Sequence, residues 1–421
     1  MDTKAYDDQT VDSWINNIFN AIPTYILTQL PSNEKTQKKI TVNTRAVTSS
    51  LLRKILANGD SPYHHKELNY DTILLLQLEL LKQLLSCEKQ IQYYRKTFRN
   101  SSLIEPLRER RRILKFLGSS LAWIVLEGDR GYIRNLARNK DPGFIVGKTG
   151  TLAELNYLFK EHKPNNEYTV LLHDITQCLR IADVSIVWGS AHAPLEIKLI
   201  SKHYKPNKRG RRQNRDLKNL KEYFTKGFTT KFIPGWTTVR SKARKRDIHH
   251  WDALAKVSQS AIDTGTGIEF PEPAIAYYAY NDLSQLERLG LAIKNRWENP
   301  IIIFGDFRKQ IDGILEDGLL EMMPFLLYEI PLEIKEHILF GDLQIMTVID
   351  LNSLTSTFKE LGIDASIQED KITIKQSGFP DAIIGPGLIN RLLYECLSTE
   401  TLRDYLLSSS WKEALKKVSK K

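Results

Sequence analysis

Apolar positions in the first third of the chain recur with the period of a helix. Leu74, Leu78, Leu81 and Leu85 step by four, three and four, which puts them on one face. Similar patterns predict helices over 103–117 and 120–125, the first carrying Arg108, Arg110, Arg111 and Arg112. The character changes near Asp141-Pro142-Gly143. Thr151 then precedes a predicted helix over 152–159, with Glu154 at its third position as in a capping box. Short apolar runs at 168–172, 184–188, 195–200, 274–280 and 301–304 read as strands. Helical patterns over 211–224, 251–261 and 283–297 separate several of them. Strands interleaved with helices predict an α/β fold. Beyond 311 come a predicted helix over 314–327, a strand over 372–375 and a helix over 388–397. The expected organisation is a helical accessory domain over 1–140, a central α/β domain over 141–310 and a small mixed domain over 311–421.

Composition narrows the class. Over 421 residues, 42% are hydrophobic and 26% charged, enough apolar surface for packed cores and too much for general disorder. The three cysteines, Cys87, Cys178 and Cys396, are far apart, which argues against a zinc knuckle or disulfide framework and for a reduced, cytoplasmic protein. The acidic N-terminal octapeptide has no apolar core of a secretory signal. The most apolar run, 73–85, is too short and too polar for a membrane span.

Charge is unevenly spread. The net is +10, yet 202–246 alone holds 16 Lys or Arg against Asp216 and Glu222, a local +14 that leaves −4 elsewhere. Such a patch suits a polyanion. Tyr204, Tyr223, Phe228, Phe232 and Trp236 interleave with it, as in surfaces that stack on bases.

The stretch with the most chemistry runs from Asp183 through 184–188 and a turn-rich loop to Glu196-Ile197-Lys198. Read as a hairpin, it puts Asp183 opposite Ile200, one diagonal step from Lys198, and a small register slip brings it nearer Glu196. Strand alternation sets Glu196 and Lys198 on one face and Leu195, Ile197 and Leu199 on the other. Charged groups on an apolar strand are costly to bury unless paired or metal-bound. Two carboxylates attract a hard cation such as Mg²⁺, which also takes water and phosphate oxygens.

At these residues the chain resembles the PD-(D/E)XK nuclease superfamily, whose pattern is an acid opening one strand and (D/E)-x-K on the next. Ala182 stands where the family has proline. The resemblance covers about 152–224 and implies a restriction-endonuclease-like mixed sheet flanked by helices. It implies that Asp183 and Glu196 ligate Mg²⁺ or Mn²⁺ with help from the Ile197 carbonyl, and that Lys198 positions the attacking water. It also gives catalytic roles to Glu154, on the preceding helix, and Gln213, on the following one. Gln213, Leu217, Leu220 and Phe224 share a helix stripe, while Arg211, Arg212, Arg215 and Lys218, with Lys208 and Arg209 before them, would bind nucleic acid. DNA rather than RNA, an anti-phage, restriction or repair setting, and a homodimer or partner docked through the terminal domains complete the expectation. The rival is a nucleic-acid-binding or protein-interaction subunit without catalysis, using 202–246 alone.

Other motifs are discounted. Pro-Leu-Glu-Ile-Lys recurs at 331–335, where Pro331 suits a helix start. Gly147-Lys148-Thr149-Gly150 lacks the spacing of a phosphate loop. His173-Asp174 and His249-His250 lack metal-ligand spacing, and His192 sits in the expected hairpin loop.

Overall fold

The structure, a computed structural model, describes residues 34–58, 69–97, 101–137, 143–148, 150–161, 168–188, 191–197, 215, 218–219, 228–229, 238–239, 247–298, 301–312, 319, 322–368, 371–375, 382–383 and 386–407. The chain is mixed α/β and divides into two compact units, Met1–Leu217 and Lys218–Lys421. The boundaries expected near 140 and 310 fall inside these units. Among the described residues no helix is long and apolar enough to cross a membrane.

In the first unit the helices are α1 (Glu34–Asn58), α2 (Tyr70–Thr97), α3 (Ser101–Val125), α4 (Arg130–Leu136) and α5 (Thr151–Glu161). They accompany a three-stranded antiparallel sheet, β1 (Thr169–Leu172), β2 (Val184–Trp188) and β3 (Ala191–Leu195), with β2 central. The leucine stripe of α2 is buried, and so are Ile73, Leu76, Leu80 and Leu84 beside it. α2 therefore packs on more than one side. Its buried Gln77 donates to the Val170 carbonyl at 2.9 Å and accepts from the Leu172 amide at 2.8 Å. One amide side chain thereby satisfies the outer edge of β1, which would otherwise be left unpaired against an apolar helix. These two bonds tie α2 to β1.

α3 is one helix where the sequence suggests a break at Gly118-Ser119-Ser120. The two serines donate back to the Lys115 and Phe116 carbonyls at 3.1 Å, which carries them through the helix. Gly118 is needed for approach: a Cβ there would lie 2.0 Å from the Ile175 oxygen. Ser119 also accepts from the Gln177 amide at 2.8 Å. The β1–β2 loop is thus clasped onto α3.

The second unit begins with a short pair, β4 (Phe228–Thr229) and β5 (Thr238–Val239), followed by α6 (Trp251–Thr264). Its main sheet joins β6 (Thr266–Glu272), β7 (Ile275–Tyr280), β8 (Ile302–Asp306) and β9 (Gln344–Asp350) in the antiparallel order β6-β7-β9-β8. Between β7 and β8 runs α7 (Leu286–Arg296), and between β8 and β9 run α8 (Arg308–Asp312) and α9 (Leu332–Phe340). The run read as a strand at 274–280 is β7, buried along its whole length. Of the helix expected over 314–327, residues 314–318 and 320–321 lie outside the described residues, and Phe325–Leu327 form a 3₁₀ turn that Pro324 precedes. Pro331 opens α9 as expected, so the second Pro-Leu-Glu-Ile-Lys is helical. The chain continues through α10 (Leu351–Glu360), a small sheet of β10 (Asp364–Gln368), β11 (Lys371–Lys375) and β12 (Ala382–Ile383), then α11 (Pro386–Glu395) and α12 (Thr399–Leu407).

Candidate active site

The β2–β3 hairpin differs from its sequence reading in register. Trp188 pairs with Ala191 and Val184 with Leu195, so only residues 189–190 separate the strands. Pro194 is tolerated because β3 is an edge strand. The next positions outward are Asp183 and Glu196, four residues from the Asp183–Ile200 pairing that the longer loop predicts. The Asp183 amide donates to the Leu195 carbonyl at 3.0 Å, and the Ile197 amide donates to Asp183 Oδ2 at 2.8 Å. The ladder ends at Leu195, so strand alternation does not govern Glu196 or Ile197, both half-buried. Lys198 lies outside the described residues.

Ala182, in the place of the family's proline, has φ +72° and is buried. Proline cannot adopt this angle, so the backbone entering β2 departs from the family's pattern.

Asp183 belongs to a larger charged cluster. Lys148 Nζ donates to Glu154 Oε1 at 2.9 Å and to Asp174 Oδ2 at 2.7 Å, and lies 3.8 Å from Asp183 Oδ1. Glu154, in the first turn of α5, is buried. It does not form the expected capping box: Thr151 is the first helical residue, and the carboxylate turns to Lys148. Burial pushes the Glu154 carboxyl up to about 8, with the charges of Asp174 and Asp183 acting in the same direction and Lys148 against them. Burial opposes charge on Lys148, but Asp174 and Glu154 outweigh it and hold the ammonium above the ordinary lysine range. One fixed cation therefore faces three acids, and burial, aided by the neighbouring carboxylates, favours the protonated form of Glu154.

The cluster is held from behind. The wholly buried Glu88 of α2 takes Arg111 Nε at 2.6 Å and the amides of Ile145 and Val146 at 2.6 and 3.0 Å. These bonds fix the segment that ends in Lys148. Lys115 of α3 donates to the Asp174 carbonyl at 2.5 Å, and burial pulls its ammonium down to about 8. On the other side of the loop, His173 Nδ1 meets the Ile181 carbonyl at 2.8 Å, so this nitrogen carries the proton. Its Nε2 then accepts from Ser185 Oγ at 2.7 Å, and Ser185 accepts from the Tyr132 hydroxyl at 2.9 Å. Burial keeps His173 neutral, its imidazole pulled down to about 4.

Oxygen donors of this kind suit a hard divalent cation. Among the described residues, however, no three His, Cys, Asp or Glu side chains converge as a metal's ligands do. Compared with protein-family models, curated proteins and solved structures, the chain matches none of them.

The other sequence candidates are spread out. Gln213, Lys208, Arg209, Arg211 and Arg212 lie outside the described residues. Arg215 and Lys218 are exposed on helical backbone, and Asn219 beside them is buried. His192 is in β3 rather than a loop; its ring meets Tyr132 edge-on at 5.1 Å. His250 bonds Glu272 at 2.6 Å, and His249 stacks on Trp251 at 4.3 Å, both within the second unit. Lys148 and Asp174 join the cluster from motifs with no usable spacing. The available signals were a lysine between glycines ahead of a helix and an acid at the end of a strand.

Proposed function

We propose that the protein is a divalent-metal-dependent nuclease of the PD-(D/E)XK kind, hydrolysing phosphodiester bonds of DNA in the cytoplasm. The observation that carries this reading is the hairpin register: Asp183 lies across from Glu196, the two acids of the motif. Buried Glu154 lies near Asp183 on the helix that precedes β1, β2 and β3, an order that supports the restriction-endonuclease-like arrangement. The donor chemistry fits Mg²⁺ or Mn²⁺, with Asp183, Glu196 and the Ile197 carbonyl as its holders. When bound, the ion would polarise the scissile phosphate and lower the pKa of a water. Asp183 is held in place by the Ile197 amide, which bonds its Oδ2. The +14 segment 202–246 supplies the grip on the polyanion.

A second reading, a nucleic-acid-binding protein without catalysis, is favoured by one observation. Lys148 already bridges Glu154 and Asp174 and so partly neutralises the cluster. The two readings separate in a cleavage assay on plasmid, linear DNA and RNA, with Mg²⁺, Mn²⁺ or EDTA. The nuclease cuts DNA with metal and not with EDTA. Asp183→Asn and Glu196→Gln each lose at least about 100-fold in rate while still binding DNA. Cleavage that survives both substitutions, or no cleavage of any substrate with either metal, overturns the proposal.

A further inference from the structure

We propose that Lys148 is the lysine that meets the scissile phosphate, with Asp174 as the residue that positions it; this rests on the nuclease reading above. The motif's own lysine, Lys198, lies outside the described residues. Lys148 reaches Asp183 by another route. Its Nζ lies 3.8 Å from Asp183 Oδ1 and donates to Glu154 and Asp174. Two of its three N–H groups donate to these acids, and the side chain keeps 28% of its exposure, so solvent reaches it.

The placement is built. The Lys148 amide bonds the Ile145 carbonyl at 3.0 Å, and Ile145 and Val146 are both held by the buried carboxylate of Glu88. Asp174 is held through its own carbonyl by Lys115. A phosphate brought among three acids is repelled unless a cation accompanies it, and Lys148 is the cation already there. In hydrolysis the water oxygen bonds to phosphorus as the bridging P–O bond breaks. One water proton passes to a carboxylate of the cluster, the other stays on the new phosphate hydroxyl, and the departing oxygen takes a proton from solvent. Lys148 remains protonated throughout and stabilises charge on a non-bridging oxygen.

The test compares wild type, Lys148→Met, Lys148→Arg, Asp174→Asn, Asp174→Glu and Lys198→Ala. Readouts are plasmid cleavage with Mg²⁺, DNA binding by fluorescence anisotropy, and thermal melting. Lys148→Met is expected to lose at least about 100-fold in rate with DNA affinity within threefold of wild type. Lys148→Arg, which keeps the ion pairs but not the compact ammonium, still melts like wild type yet loses at least tenfold. If Lys148→Met fails to fold, this second variant decides. Asp174→Asn lowers kcat with KM unchanged, and Asp174→Glu restores part of it. Full activity in Lys148→Arg, or loss in Lys198→Ala alone, overturns the assignment while leaving the nuclease reading intact. A wild type that cuts nothing overturns both.

Discussion

Each unit of the protein gathers acids around one basic side chain, and the two clusters are built differently. In the second unit Arg391 donates to Glu395 at 2.8 Å and to Asp247 at 2.5 Å. Every oxygen of these acids is occupied: Tyr405 bonds the other Asp247 oxygen at 2.8 Å, and the Met323 amide the other Glu395 oxygen at 2.8 Å. The side chains of Arg391, Asp247 and Glu395 keep 4%, 7% and 0% of their exposure. In the first unit Lys148, Asp174 and Asp183 keep 28%, 23% and 15%, while Glu154 keeps 3%, and three acids rather than two face the cation. A closed, fork-shaped cluster ties α11 and α12 to Asp247, just ahead of α6, and has no coordination to offer. An open cluster around a compact ammonium can still accept a ligand.

That contrast is breakable by substitution. Arg391→Met leaves two buried carboxylates without their cation and should cost roughly 3–5 kcal/mol, read as a fall in the urea midpoint. Lys148→Met should cost far less, because water reaches the cluster and Glu154 is already pushed toward its protonated form. Equal losses in the two variants would remove the distinction.

A smaller effect sharpens the same contrast by pH. His173, behind the open cluster, is pulled from the usual 6.5 to about 4 by burial. The unfolded chain therefore takes its proton first as pH falls. The stability His173 contributes is present above about 6.5 and lost through about 4, roughly 3 kcal/mol in all. Burial pulls His249 of the second unit in the same direction, so the comparison needs a variant. His173→Asn should lose less stability than wild type between pH 7 and 4. An unchanged acid loss would show that His173 is not the group responsible.

Much of the fold was legible where the pattern was simple. The α2 leucines, β7 and the Pro331 helix start follow directly from period and proline chemistry. β9 was not, although it lies inside the main sheet: its central Thr347 is buried, which breaks the apolar run, and its partners come from distant sequence. Of the candidate site, Asp183, Glu196 and Glu154 were readable because a strand-opening acid, an E-x-K and a helix-start acid each leave a local mark. The hairpin register was not, because Pro194 reads as loop and is in fact an edge-strand residue. Lys148 and Asp174 were missed because Glu88, Arg111 and Lys115, which deliver them, lie 33 or more residues upstream of Lys148.

The most direct test of the central claim, that Asp183 and Glu196 together hold a divalent ion, is a Mn²⁺ titration of the full chain followed by electron paramagnetic resonance. The account predicts one site in wild type, weakened at least tenfold in Asp183→Asn and in Glu196→Gln. Mn²⁺ binding that is the same in wild type and both variants would contradict it.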